Sequence, residues 1–289
     1  MRKITFVLLL FLETMTAQNY NIERKVSLSN KISETSGIIY INNEIVTFND
    51  SGGKPELYTI NPYNGKTNRT IWIKNAKNID WESITQDKEH IYVGDTGNND
   101  GNRTDLVIYK ISKRDFYRKN TVNAERILYS YEDQFIFEKQ RHSTNFDCEA
   151  ITIYHNQLLL FTKNWGDYHT KVYKIPTRPG RYEAIKIHSL DIGCMLTSIA
   201  YNPENNQFVG TAYDREYQSY IIRVKNFYLR EEKIIKTNLT PALNYANQFE
   251  AIAWKNKNQI YITREYLKQK VNKKRYKNKQ KMFLITLMD

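Results

Sequence analysis

Pairs of carboxylates two residues apart recur just ahead of apolar strands. NIDWESITQDKEHIYVGD carries Asp80 and Glu82, NFDCEAITIYHNQLLLFTKN carries Asp147 and Glu149, and NQFEAIAWKNKNQIYITRE keeps half of the arrangement as Glu250. In SETSGIIY, Glu34 stands two residues before Ser36. Residues i and i+2 of an extended chain lie on one side, so each pair aims two acids in one direction. Carboxylates crowded together must be protonated, paired with cations or bound to a metal. Oxygen ligands with no His or Cys beside them favour a hard cation, calcium above magnesium. The expected ligands are Asp80, Glu82, Asp147 and Glu149 first, then Glu250, Glu34 and Asp95. An ion-paired cluster without metal stays open, because Lys163 and Arg264 end second strands where other copies carry Asp50 and Asp95.

Around the acids, GDTGNNDGNR supplies Asn98 and Asn99 as oxygen donors and Arg103 as a contact for an anionic ligand, a role that also suits Lys163 and Arg264. A metal-dependent hydrolase of phosphate esters or lactones would use such a cation to polarise the substrate, with Glu149 or Glu250 as base. No GxSxG, HExxH or assignable Ser/His/Asp grouping is present. A ligand- or partner-binding module is therefore the first reading and the hydrolase the second. Of the five histidines, His142 is the one to place near the acids, a surface position being the simpler alternative.

The elements that position these residues repeat. SGIIYINNEIVTFND, ESITQDKEHIYVGDT, EAITIYHNQLLLFTKN, TSIAYNPENNQFVGTA and EAIAWKNKNQIYITRE each read acid or hydroxyl, small residue, Ile, polar turn, second strand. Third strands follow (ELYTIN, LVIYKI, KVYKIP, YIIRVK, MFLITL), and all copies but the last have a fourth. Helical periodicity is scarce, while β-branched and aromatic residues fill the apolar runs. The spacing fits a closed ring of four-stranded sheets. The expectation is an all-β, five-bladed β-propeller over residues 18–289, with six blades as runner-up, and with YNIERKVSL (20–28) completing the last blade. EDQFIFEKQRHSTN reads as an inserted loop on the rim.

Residues 1–17 have a basic start, a nine-residue apolar run and a small-residue exit, which reads as a secretory signal. The expected product is exported, periplasmic or secreted, with no transmembrane segment and as a monomer. Cys148 and Cys194 are compatible with a bridge or with two buried thiols. Of the net charge of +12, eight positive charges lie between Lys268 and Lys281. Such a run is ordinarily a solvated loop; the sharper reading is a contact for an anionic surface. Its single aromatic, Tyr276, gives no basis for nucleic-acid binding.

ETSGIIY, TFNDSGG, LYTINPYNG, DWESI, IYVGDTGNNDGNR and DCEAI together resemble exported bacterial β-propeller proteins of the SdiA-regulated, phytase-like kind, over nearly the whole chain beyond residue 17. The resemblance implies cation-binding acids at a tunnel mouth, falling here on Glu34, Asp80, Glu82, Asp147, Glu149 and Glu250. The fourth copy departs from it, with Met195 and Thr197 where acids would stand.

Overall fold

Adjacent residues of one strand enter different cores. The computed structural model describes residues 19–245, 247–271 and 273–288; the expected signal segment at 1–17 lies outside them. In His90–Asp95, Ile91 and Val93 pack on one side and Tyr92 on the other. Side chains alternate across a strand, so a strand covered on both faces must be apolar throughout. The run QLLLFT, Gln157–Thr162, has that character and is buried from its second residue on.

The strands form antiparallel groups of four. The first sheet is Thr35–Ile41, Glu44–Asn49, Glu56–Ile60 and Thr67–Ile73. The second is Trp81–Gln86, His90–Asp95, Val107–Ser112 and Glu125–Tyr131. The third is Cys148–Tyr154, Gln157–Thr162, Thr170–Pro176 and Gly180–Leu190. The fourth is Met195–Asn202, Gln207–Tyr213, Ser219–Lys225 and Lys233–Asn238. The fifth begins with Phe249–Trp254, Gln259–Arg264 and Lys281–Leu287, and its outer strand is the N-terminal Tyr20–Ser27, paired from Tyr20 with Leu287 to Ser27 with Lys281. The inner strand of each sheet lies against the inner strands on either side, and the fifth lies against the first. The result is an all-β, propeller-like ring.

Five cores fill the gaps between consecutive sheets. Phe48, Trp81, Val93 and Phe116 pack between the first and second sheets, and Tyr92, Ile127, Leu160 and Tyr173 between the second and third. Phe161, Leu196, Phe208 and Phe227 fill the next gap, Val209, Phe249, Ile262 and Phe283 the one after. Ile45, Tyr58, Tyr261 and Leu284 close the circle between the fifth and first. Each such side chain, fully buried, contributes about 1.5–3 kcal/mol, and no sheet obtains this alone. Exposed outer edges are reduced by parallel pairing: Ile127–Tyr131 against Gly180–Ala184, and Trp72 and Ile73 against Thr121 and Val122.

Cys148 belongs to the core between the second and third sheets and Cys194 to that between the third and fourth. Both thiols are therefore free and buried, and the bridge that the sequence left open does not form. The inserted segment after Tyr131 reaches one end of the ring. It is tied by Gln140 N–H to the Asp100 carbonyl (2.8 Å) and His142 N–H to that of Asn99 (2.9 Å), which brings it to the mouth where the inner strands begin.

Candidate functional site: an acidic cup

Each inner strand carries a β-bulge near its start, and the repeated acid or hydroxyl position falls in it. Trp81 pairs with Asp95 and Ser83 with Gly94, leaving Glu82 out of the ladder. The same slip leaves out Glu149, Thr197 and Glu250, and in the first sheet it falls between Thr35 and Ile38, around Ser36. A bulge sets two residues against one and re-aims the side chain. Ser36, Glu82, Glu149 and Glu250 thereby line one cup of about 230 Å³ with Asp50, Asn99, His142, Lys163, Trp165, Tyr213, Gln248 and Glu265. Thr197 is spent internally, bonded to Thr211 (2.9 Å) and to the Phe249 carbonyl.

The ends of the second strands stand one residue away from where the repeat suggests. Asp50 N–H bonds the Glu34 carbonyl (2.8 Å), Lys163 N–H that of Asp147 (2.7 Å) and Glu265 N–H that of Gln248 (3.2 Å). Asp50, Lys163 and Glu265 are thus equivalent and face the cup, whereas Asp95 and Arg264 occupy the preceding position and do not line it. As a cup ligand Asp95 is therefore corrected: it is buried, ion-paired to Arg103 (3.0 Å), and accepts the Asp80 N–H (3.0 Å). Arg264 donates to the Lys279 carbonyl (2.9 Å) and to the Asn247 side chain, and forms no ion pair among the described residues. Sequence reasoning left Asp50, Glu265 and Tyr213 out of the site, although Asp50 stands at the end of its repeat copy.

The remaining residues divide by their partners. Glu82 accepts from Ser36 (3.1 Å), and Glu149 is ion-paired to Lys163 (2.9 Å). Asp147 accepts the Asn98 N–H (2.6 Å) and the Trp165 indole N–H (2.9 Å), so its oxygens organise the rim. Carboxylate oxygens of Asp50, Asp80 and Glu82 lie within 4.8 Å of one another. Glu250, only 6 % exposed, has no hydrogen bond among the described residues. Asp50 Oδ1 and Glu265 Oε1 are likewise buried without a partner. Glu34 is exposed outside the cup. Asn98 braces the loop, accepting Arg103 N–H (2.9 Å), and Arg103 is committed to Asp95, Asp105 and the Gly97 carbonyl, with Nη2 alone unpartnered. His142 is both exposed and at the mouth, stacked 4.1 Å from Trp165. A side chain at Gly97 would collide with Asp80 and come 2.6 Å from Glu82 Oε1, so glycine lets this backbone pass the acids without displacing them.

Burial is the main cause of the cup's electrostatics. Burial, then Asp80 and Glu250, raise Asp50 to about 7, and burial, then Asp147, raise Asp80 to about 6 against the pull of Arg103. Glu82 is driven well above the carboxylate range by burial and then Glu149, and Glu265 by burial and then Glu250. Burial raises Glu149 and Glu250 too, with Lys163 opposing. Burial works to discharge Lys163, but Glu149 outweighs it and holds the ammonium. A larger cavity, about 540 Å³, opens at the other ends of the inner strands; its walls are mainly apolar, with Ile38, Ile84, Ile199 and Ile252 among them, though Asp87, Lys88 and His155 also line it.

No family model matches the sequence, and no curated protein does. Among solved structures, the chain is similar to one in "Crystal Structure of Mitotic Checkpoint Complex", with 10 % identity and a TM-score of 0.48 over 100 % of this chain and 99 % of that one. It is also similar to one in "Structure of U3-55K", with 8 % identity and a TM-score of 0.36 over 85 % of this chain and 61 % of the other. Likenesses of this size carry no functional argument. Fold and site define an all-β, propeller-like ring with a buried acidic cup at one mouth.

Proposed function

We propose that the protein is an exported five-bladed β-propeller that holds calcium in its acidic cup and presents the loaded mouth to an anionic ligand or partner. The observation that carries this is Glu250: a buried carboxylate that has no hydrogen bond among the described residues and lines a cavity where the other acids face, among those residues, a single ammonium, Lys163. Six carboxyls (Asp50, Asp80, Glu82, Glu149, Glu250 and Glu265) cannot all ionise so close together. A divalent cation displaces their protons. Asp50, Asp80 and Glu82 would hold it, with Glu250 and the Ser36 hydroxyl beside them, an all-oxygen set that suits calcium. Lys163 keeps Glu149 out of that set. The five cores between sheets support the blade count. The apolar start of the chain supports export, and the resemblance to exported bacterial propellers agrees with it.

Metal analysis of the purified protein, followed by melting with calcium or with chelator, tests the assignment. A ligand bound only by the folded state stabilises it by about 2.7 kcal/mol at a hundred times Kd. Calcium should raise the melting temperature of the parent, and a Glu82→Gln/Glu250→Gln variant should lose the response while remaining folded. An identical response in the variant would refute the site. Glu250 is also the free base that a hydrolase needs, so calcium-dependent turnover of phosphate esters or lactones, lost in Glu250→Gln, would move the assignment to an enzyme.

A further inference from the structure

The positive charges of residues 268–281 take no part in the cup. Instead of a solvated loop, the chain forms two paired strands, Leu267–Val271 and Lys274–Asn278. Their register sets Lys268 opposite Lys277 and Lys270 opposite Arg275. All four are exposed, and alternate residues share a face, so they make one grid, roughly 5 Å across the strands and 7 Å along them. Leu267, Gln269, Val271 and Tyr276 point the other way and are half-buried or buried; Tyr276 lies 6.1 Å from the Tyr245 ring, and Asn278 donates to the Tyr245 carbonyl (3.2 Å). Among the described residues, none of the four cations forms an ion pair.

Like charges directly opposite destabilise a strand pair, and a two-stranded hairpin has little stability to lose. A multivalent anion along the grid removes that repulsion. We propose that the cationic face of this hairpin binds a linear phosphate polymer, its phosphates running between the two rows. Three of the four cations are lysines, which serve phosphate as point charges. One exposed ring, Tyr266, stands beside the grid with the Lys268 ammonium 5.7 Å over it; a single ring already engaged by a cation is no platform for successive bases and too little apolar surface to enter a membrane, so the grid's charge fits a polymer of phosphates. Binding there does not depend on the cup's cation.

Titration of the purified protein with inorganic polyphosphate, in chelator, tests this. Four phosphate contacts on a single strand predict a log–log salt slope near −3, roughly a fifty-fold loss of affinity between 50 and 200 mM salt. Replacing Lys268, Lys270, Arg275 and Lys277 together by Gln should weaken binding by at least about ten-fold without lowering the melting temperature. Lys66→Gln/Lys74→Gln, on exposed lysines elsewhere, should bind like the parent. Lys→Arg at 268, 270 and 277 keeps the charge and must keep binding, which separates loss of charge from loss of the hairpin. Unchanged binding in the Gln variant, orthophosphate binding as tightly as the polymer, or a preference for phosphatidylglycerol vesicles or single-stranded DNA would each overturn the proposal.

Discussion

Glu149 and Glu250 occupy the same bulge position in different sheets, yet Lys163 holds the first and, among the described residues, nothing hydrogen-bonds the second. Lys163→Met removes the ammonium and leaves Glu149 buried and unpaired, a change that costs about 3–5 kcal/mol in comparable pairs. The variant should therefore melt well below the parent in chelator and recover most of the loss in calcium; melting that calcium leaves unmoved would contradict the cup as the ion's position. The pH response has a definite sign. Unfolded carboxylates titrate near about 4, whereas Asp80 is raised to about 6 and Asp50 to about 7 by burial and neighbouring acids. The folded protein then binds more protons than the unfolded chain, so its stability falls as pH climbs from about 4 through 7. In chelator the melting temperature should be higher at pH 5 than at pH 8, and calcium should stabilise more at pH 8. Equal melting at both pH values in chelator would mean that these acids are not buried together.

At the scale of single elements, the bulge is the device that turns a structural strand into a site. A regular ladder would point the repeated residue along the alternation of its strand; the extra residue lets Trp81 and Ser83 keep their places while Glu82 turns to the cup. The loop behind it is equally constrained. In Gly97→Ala the new methyl group must displace Asp80 and Glu82, whose side-chain ends can move, so the fold should survive. Calcium binding measured by calorimetry should weaken about ten-fold or more, the effect of disturbing residues that orient metal ligands, with melting in chelator little changed. Full calcium affinity in this variant would show that Asp80 and Glu82 are not ligands.

For the molecule as a whole, closure is the stabilising event. Tyr20, Val26 and Leu28 are buried, and the strand Tyr20–Ser27 supplies the outer edge of the fifth sheet. Removing residues 19–28 would uncover the edge of Lys281–Leu287 and strip side chains from two cores. An uncovered strand edge is a template for association. The truncated protein should lose its single cooperative unfolding transition and form concentration-dependent aggregates, seen by calorimetry and light scattering; a parent-like transition would mean that the ring does not depend on this strand.

Much of this was legible in the chain. A unit that cannot cover its own faces must repeat its apolar strands, and the recurring Ile after an acid or hydroxyl marks each inner strand, while YNIERKVSL stands as the spare strand that completes the last sheet. Glu82, Glu149 and Glu250 could be chosen because they share one place in that repeat. Which second-strand residues join them could not. A slip of one residue turns a side chain to the opposite face, and that slip separates Asp50 and Glu265 in the cup from Asp95 and Arg264 beside it. The sequence by itself determined the repeating strands and the acids at their head; tertiary structure alone decided which neighbours share the cup, because register and bulges are set by packing between sheets and not by local residue type.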